Sequence, residues 1–461
     1  MESFDNTAPR PSPEAFILAG AFRVLFRNHG YLRELAARGL KALVLTPESS
    51  RGQVEAVLVE SSVLAGLVED VAYVSGEMDT ESSFTPGTFA AIERWRETYR
   101  IAGVFAMEEM LVEPAGLLCD VLGLPSPGLR ASRVCRSKYL QRSYIQRYRP
   151  RSLTIAPGTR SAVELGGIHY PAVLKPAARH ASSGVVACMS ADEVMRSLPG
   201  YPPHETLLLE QQIEGPEFSV ESLVQGGKII FASVTEKRTN EGGCRSFVEL
   251  GHTVPAGDAC VGGSHVPGAV LEANRDVLET LDYQDGITHS EWRVTQDGDV
   301  YLMEIASRTP GDGITHLYAL ACGEPLEPQV IRIALGERAE LAAPRRYARQ
   351  VYLDHAPGVL RDVVVDWPGV EPSWVGPTQM WPTLAPGAPG EPATLRGVLV
   401  LGERGTELNE LRSSDDRVVT FFLDADTPAE LDELESVVRS MVHIVADPAR
   451  SECGAPVTVS C

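Results

Sequence analysis

The stretch EWRVTQDGDVYLMEIASR, residues 291–308, carries two glutamates, Glu291 and Glu304, on either side of Asp297-Gly298. An Asp-Gly pair between alternating apolar runs predicts a β-hairpin with a two-residue turn. In that register Glu291 stands directly opposite Glu304, and His289 opposite Ala306. Directly paired side chains share one face about 4.5–5.5 Å apart, where like charges repel. At an effective dielectric of about 20 that repulsion is roughly 3 kcal/mol. Alternation puts Glu291, Glu304, Arg308 and His289 on one face and Trp292, Val294, Tyr301, Met303 and Ile305 on the core face. Two opposed acids predict either a bound cation or a shared proton, and carboxylate oxygens suit Mg²⁺ completed by phosphates. A solvated antiparallel face is the plainer alternative.

The chain has 461 residues, enough for two or three domains. Its hydrophobic content of 44% and charged content of 22% are those of a soluble globular protein. A net charge of −21 argues against nucleic acid as the main partner, since phosphate backbones need a basic surface. A small anion needs only a local positive pocket. No apolar run reaches the length of a membrane span, and MESFDNTAPRPSPE lacks a signal pattern, so the expected location is cytoplasmic and off the membrane. Eight scattered cysteines without a CxxC pair read as reduced thiols. Only five basic residues are lysines, at 41, 138, 175, 228 and 237, so a lysine inside a motif carries extra information.

Three segments follow from the pattern. Residues 1–125 read as an open parallel α/β domain, with buried strands at 15–20, 41–47, 71–76 and 101–107 and helices at 27–40 and 113–124, the second closing at Gly123. Ligands of such sheets sit at the carboxyl ends of the strands, where Glu108, Glu109 and Glu113 cluster. No GxGxxG follows the first strand. Residues 126–340 open with an Arg- and Tyr-rich helix over 131–148, then strand YPAVLKP (170–176) and the small-residue loop and strand of 179–189. Strand, Gly-Pro turn, strand, Gly-Gly hairpin and strand follow over 206–236, and 237–246 reads as a polar, mobile loop. Residues 341–461 form an α+β segment with strands near 349–354, 398–402 and 417–423. Its helix over 427–442 starts on a Thr427–Glu430 capping box.

Lysines Lys138 and Lys175 are placed to deliver point charges into a cleft, and SSGVV (182–186) can lay backbone N–H groups over anionic oxygens. EQQIEGPEFSVE adds Glu210, Ile213 and Glu217, and an acid such as Glu217 suits ribose hydroxyls. Taken singly, each is also an ordinary solvated lysine, turn or surface acid.

In this order, Lys138, VLKP, SSGVV, LEQQIEGPEFSVE, VELGHTVPA, THSEW and MEIASRTPGDG resemble the ATP-grasp superfamily. More closely they resemble the bacilysin-type L-amino-acid ligases, carboxylate–amine ligases that form dipeptides. The match runs from about 100 to 325 and implies an ATP-grasp fold: an N-terminal parallel α/β domain, a central two-subdomain ATP-grasp and a C-terminal α+β domain. The resemblance further implies that Lys138 and Lys175 hold ATP phosphates under a flap of Ser182, Ser183 and Gly184. Glu210 and Ile213 would line the adenine hinge, Glu217 the ribose, and Glu291 and Glu304 would hold Mg²⁺, with Mn²⁺ as a substitute. Arg308 would stabilise the transferring phosphoryl group and the oxyanion. Glu249 and His252 fall where the family places residues near the amino-acid substrates, His252 being either catalytic or structural. Glu109, Gly311 and Asp312 complete the substrate set, Asp312 being alternatively the N-cap of the next helix. The family commonly has Asn two residues before the arginine, as a further metal ligand. Here that residue is Ala306, which cannot coordinate and leaves the metal count open.

The implied function is an ADP-forming ligase joining amino acids through an acyl phosphate, with a homodimer as the family's assembly. Two alternatives stay open: another ATP-grasp reaction, linked to formate, bicarbonate or a carrier-bound acceptor, or a nucleotide-binding regulator without turnover.

Overall fold

The computed structural model describes residues 12–179, 183–240, 248–261, 263–376 and 379–448. Strands β1 (Glu14–Ala19), β2 (Lys41–Pro47), β3 (Val68–Val74) and β4 (Arg100–Ala106) form a parallel sheet in the order β3-β2-β1-β4. Unbroken apolar runs such as AFILA require burial on both faces, and Ala15 to Ala19 are fully buried. Helix Val112–Leu122 ends at Gly123 in the left-handed region (φ 66°), as expected. The helix expected over 27–40 is instead two, Phe22–Arg27 and Gly30–Ala37. Asn28 leaves helical geometry between them, and its side-chain amide donates back to the Val24 carbonyl at 2.9 Å.

The helix expected over 131–148 is also divided, into Leu129–Val134 and Lys138–Tyr144. Extended backbone at Ser137 (φ −132°) starts the second helix and sets Lys138 in its first turn. Next, β5 (Ser152–Ile155), β6 (Ala172–Pro176), β7 (Val186–Cys188) and β8 (Leu207–Gln211) make a small antiparallel sheet in the order β5-β8-β6-β7.

Beyond Gly215 the chain enters a different sheet. β9 (Glu217–Gln225) and β10 (Lys228–Thr239) join through Gly226 and Gly227, both at positive φ (55° and 72°) as a tight hairpin turn requires. The strand thus runs to Thr239, into the segment expected to be loop, and residues 241–247 lie outside the described ones. β11 (Glu249–Val254), a short ribbon of β12 (Cys260–Val261) and β13 (Ser264–His265), and helix Val266–Leu281 follow. Then come β14 (Gly286–Val294), β15 (Val300–Ala306), β16 (Tyr347–Tyr352) and β17 (Gly358–Val365). The last strands are β18 (Pro372–Trp374), β19 (Thr394–Val400), β20 (Glu407–Leu408), β21 (Val419–Ala425) and β22 (Val442–Pro448). Nine of these make one sheet, β15-β14-β9-β10-β11-β16-β21-β19-β18, while β20-β17-β22 form a separate three-stranded sheet. Because β11 pairs with β16, a single hydrogen-bonded surface runs from the central segment into the C-terminal one. The Thr427–Glu430 capping box forms as expected, with helix Pro428–Arg439 behind it.

The opening hairpin has Glu291 opposite Glu304, but the turn differs from the expected one. Thr295 N–H bonds the Asp299 carbonyl (3.0 Å) and Gly298 N–H the Thr295 carbonyl (2.9 Å), with Gly298 at φ 86°. This is a three-residue loop, which slips the register by one. Met303 is then left over as a bulge between the pairs Glu291–Glu304 and Trp292–Leu302, which slips it back. As a consequence Leu302, rather than Tyr301, joins Trp292 and Ile305 in the core, and Tyr301 pairs with Arg293.

Gly215 sits at the junction of the two sheets at φ 140°, and an added Cβ would overlap the Val294 carbonyl oxygen. Gly215→Ala is expected to cost about 1–3 kcal/mol in urea unfolding through backbone strain. Gly158→Ala, where a Cβ meets open space, is expected to stay within about 0.5 kcal/mol of the parent.

Candidate functional site

The polar face of the large sheet is built row by row. Arg293 on β14, Glu217 on β9, Lys237 on β10 and His252 on β11 stand side by side across four strands. The next rows carry Glu291, Ser219 and Thr235, then His289, Glu221 and Ser233. Alternate residues Phe218, Val220 and Trp292 turn to the core beneath helix Val266–Leu281.

Lysines relieve the charge of the opposed glutamates. Lys237 Nζ lies 2.6 Å from Glu291 Oε1, 2.6 Å from Glu249 Oε1 and 3.4 Å from Glu217 Oε1. Lys138 Nζ lies 2.8 Å from Glu304 Oε1 and 2.8 Å from the Arg179 carbonyl. The choice between metal and proton framed from the sequence therefore left out a third possibility, a protein cation on each acid. Burial disfavours the charge on Glu291, yet Lys237 and His289 hold its carboxyl well below the ordinary range. Burial also opposes the Lys237 charge, and Glu249, Glu291 and Glu217 together keep its ammonium well above the ordinary lysine range. Lys237 had no role in the sequence reading. Its place across from Glu217 becomes visible only once strand β10 is extended to Thr239.

A second charged knot holds Lys175. Its Nζ is 2.6 Å from Glu210 Oε2, and Arg142 Nε is 2.5 Å from Glu210 Oε1. Burial raises the Glu210 carboxyl, but Arg142 and Lys175 bring it down to about 2. Arg293, also without a role in the sequence reading, donates to the Ile213 carbonyl (3.1 Å) and to Glu217 Oε2 (3.1 and 2.8 Å). Ile213 and Glu217 are thus joined by one guanidinium. Gly184 has φ 74° and its carbonyl accepts from the Tyr201 hydroxyl at 2.7 Å, with Ser183 beside it. Ser182 lies outside the described residues.

Beside Glu291 opens a cavity of about 450 Å³ between the N-terminal sheet, the large sheet and the C-terminal segment. Glu108, Glu109, Glu249, Arg308, Gly311 and Asp312 line it. Arg308 Nε donates to Glu109 Oε2 at 2.9 Å, tying the arginine to the end of β4. Glu113 instead faces Arg133 (2.8 Å) and Ser82 and is not part of the cavity wall. Asp312, at φ 51°, is not the helix N-cap, since Gly313 takes that place. Its carboxylate receives Arg417 at 2.7 and 3.0 Å and His252 Nε2 at 2.8 Å, and these partners hold it well below the ordinary range against the cost of burial. His252 is fully covered behind Asp312, with Nδ1 unpartnered among the described residues. Arg417 was missed because nothing in its local sequence marks it, and only the β11–β16–β21 pairing brings it near Asp312.

Two groups among the described residues are compact enough to chelate a cation: Glu217, Glu249 and Glu291, and Glu249, His252 and Asp312. Glu304 belongs to neither, and Lys237 now bonds all three acids of the first. Glu291 and Glu304, as paired carboxylates on one polar face, have the hard oxygen donors that Mg²⁺ requires.

Residues 168–316 match the family described as ATP-grasp domain. The chain has an ATP-grasp fold. The wider ATP-grasp architecture is similar to the L-amino acid ligase from Bacillus licheniformis, with a TM-score of 0.69 and 16% identity over 95% of this chain and 100% of that one. It is also similar to phosphoribosylglycinamide synthetase from Anaerococcus prevotii (TM-score 0.63, 12% identity, 94% and 100% covered). A third likeness is to the biotin carboxylase domain of Hydrogenobacter thermophilus 2-oxoglutarate carboxylase (TM-score 0.62, 14% identity, 94% and 90% covered). In sequence, an uncharacterized protein y4rH of Sinorhizobium fredii is 28% identical over 326 residues, 66% of this chain and 65% of that protein. No helix among the described residues is long and apolar enough to cross a membrane.

Removing one partner from a buried ion cluster strands the others. Lys237→Met is expected to lower unfolding stability by about 3–5 kcal/mol at neutral pH. Glu210, Glu291 and Asp312 bind protons less readily folded than unfolded, so they stabilise the fold above their unfolded values. Stability followed by circular dichroism is expected to drop as pH falls from about 4.5 toward about 2, the Glu210 value.

Proposed function

We propose that this chain is an ATP-dependent carboxylate–amine ligase that joins amino acids and releases ADP and phosphate. The supporting observation is one of placement. Glu291 and Arg308 line one cavity with Glu109, Glu249 and Asp312, Glu304 is paired with Glu291 across the hairpin and bonded by Lys138, and Lys175 is held by Glu210.

In this reading Glu291 and Glu304 hold Mg²⁺, which neutralises phosphate charge when bound. Lys138 and Lys175 meet the phosphates as point charges, and Gly184 lets the backbone of its loop approach them closely. Binding a cation at the glutamates requires Lys237 and Lys138 to release them, and Lys138 is then free to face a phosphate. Glu210 keeps Lys175 in place, and Arg293 joins the Ile213 carbonyl to Glu217 at the base and ribose positions.

A substrate carboxylate oxygen attacks the γ-phosphorus while the bond to the ADP oxygen breaks, giving an acyl phosphate and ADP. An uncharged amine nitrogen then attacks the acyl carbon, the C–O bond to phosphate breaks, and the nitrogen gives up a proton to solvent or the departing phosphate as the amide forms. Both steps gather negative charge beside Arg308, whose orientation is fixed by Glu109 on one side and the Thr309 carbonyl on the other (2.9 and 2.8 Å). Glu109 and Glu249 are the carboxylates on hand for a substrate ammonium, and His252 steadies Asp312 from behind.

The test is product analysis with Mg²⁺-ATP and pooled L-amino acids, with ADP, phosphate and a product lighter than its two parents by one water as the expected outcome. AMP and pyrophosphate would contradict it. Arg308→Ala is expected to lower kcat about 10²–10³-fold, in line with loss of one charge-stabilising group, with nucleotide Kd within a few-fold of the parent.

A further inference from the structure

Five lysine and arginine side chains line the cavity: Arg23, Arg27, Lys237, Arg308 and Arg417. Four have a carboxylate at ion-pair distance: Arg23 with Glu108 (3.1 Å), Lys237 with Glu291 (2.6 Å), Arg308 with Glu109 (2.9 Å) and Arg417 with Asp312 (2.7 Å). Arg27 is the exception among the described residues. Its Nη1 donates to the main-chain carbonyl of Asp312 at 2.9 Å, and among the described residues no carboxylate stands within ion-pair distance of it. The Asp312 carboxylate is committed on both oxygens to Arg417, and on one also to His252.

Arg27 is held in a built site. Its guanidinium lies 5.5 Å from the Trp381 ring centroid. Trp381 N–H bonds the Phe26 carbonyl at 3.2 Å, and His29 Nε2 meets the Trp381 carbonyl at 2.9 Å. The helix break at Asn28 makes this possible, since His29 turns out of helix Phe22–Arg27 toward the C-terminal segment. A half-buried guanidinium that keeps free donors, beside an aromatic face, is pre-organised for a planar two-oxygen anion. Burial opposes the Arg27 charge, Asp312 offsets part of that cost from beyond ion-pair distance, and an incoming carboxylate would offset more of it.

We propose that Arg27, held over the Trp381 ring, binds a substrate carboxylate other than the one that is activated. This rests on the ligase reading and narrows it: the pair of substrates must bring a non-reacting carboxylate into the cavity. Two sources share that chemistry, the α-carboxylate of the amine substrate and a side-chain carboxylate of the acid substrate. A substrate pair lacking both is discriminated against.

The test uses the intact protein with Mg²⁺ and a non-hydrolysable ATP analogue, titrated calorimetrically with two sets of probes. One set pairs L-amino acids with their α-amides; the other pairs L-glutamate with L-glutamine and L-aspartate with L-asparagine. Loss of the carboxylate is expected to weaken binding at least tenfold in one set, which names the source. Arg27→Met should weaken the carboxylate form by a similar factor and leave the amide form unchanged, with Arg27→Lys in between. If Arg27→Met melts early, Arg27→Lys and Arg27→Gln carry the same comparison. Equal binding of carboxylate and amide in both sets, no binding of any carboxylate probe, or a folded Arg27→Met that keeps the preference would each overturn the proposal. Failure of the ligase reading appears separately, as no ADP from any substrate pair while the binding preference at Arg27 stands.

Discussion

The site depends on a repulsion that the fold does not avoid. Glu291 and Glu304 are locked opposite each other by strand pairing, and each carboxylate is met by a lysine from another element. Without those lysines, strand pairing would hold two like charges side by side on a face shared with three further acids. With them, the face holds acids and bases in register: Glu217 stands between Arg293 and Lys237, and His252 follows Lys237 on the next strand. A divalent cation and phosphates could exchange for the lysine contacts at little net electrostatic cost, since charge is replaced by charge. In the proposed reading, that exchange would link metal binding to the freeing of Lys138 for a phosphate.

Three remote segments supply the cavity beside this row. β4 delivers Glu108 and Glu109, the large sheet delivers Glu249 and Glu291, and the C-terminal segment delivers Trp381 and Arg417. Continuity of the nine-stranded sheet through β11 and β16 is what carries the last of these to the site. The contacts are mutual, with Arg308 anchored on Glu109 and Asp312 on Arg417, so the cavity wall is braced from both ends of the chain. The same cavity combines apolar surface at Phe26, Ile314 and Trp381 with charged groups, suiting a small amphipathic substrate.

Much of this was legible because its signals are local. Apolar runs marked β1, β2 and β4, Gly123 marked a helix end, Gly226-Gly227 marked a hairpin, and Thr427 with Glu430 marked a capped helix. The pairing of Glu291 with Glu304 was also legible, although two local features had to cancel: a three-residue loop in place of two, and the Met303 bulge. Period-two reasoning has no means of seeing a bulge, and so it misplaced Tyr301 and Leu302. Helix breaks at Asn28 and Ser137 were missed because the flanking residues keep helical composition. Lys237, Arg293 and Arg417 were missed for a different reason. Their partners come from other strands, and cross-strand neighbours are fixed by sheet order rather than by spacing along the chain.

The central claim is that the opposed glutamates form a cation site held shut by lysines until nucleotide arrives. Mn²⁺ binding, followed by electron paramagnetic resonance with and without ADP, tests it most directly. The account predicts weak Mn²⁺ binding to the protein alone and tight binding with ADP, weakened at least tenfold in both Glu291→Gln and Glu304→Gln. Nucleotide-dependent Mn²⁺ binding that is unchanged in both variants would contradict it.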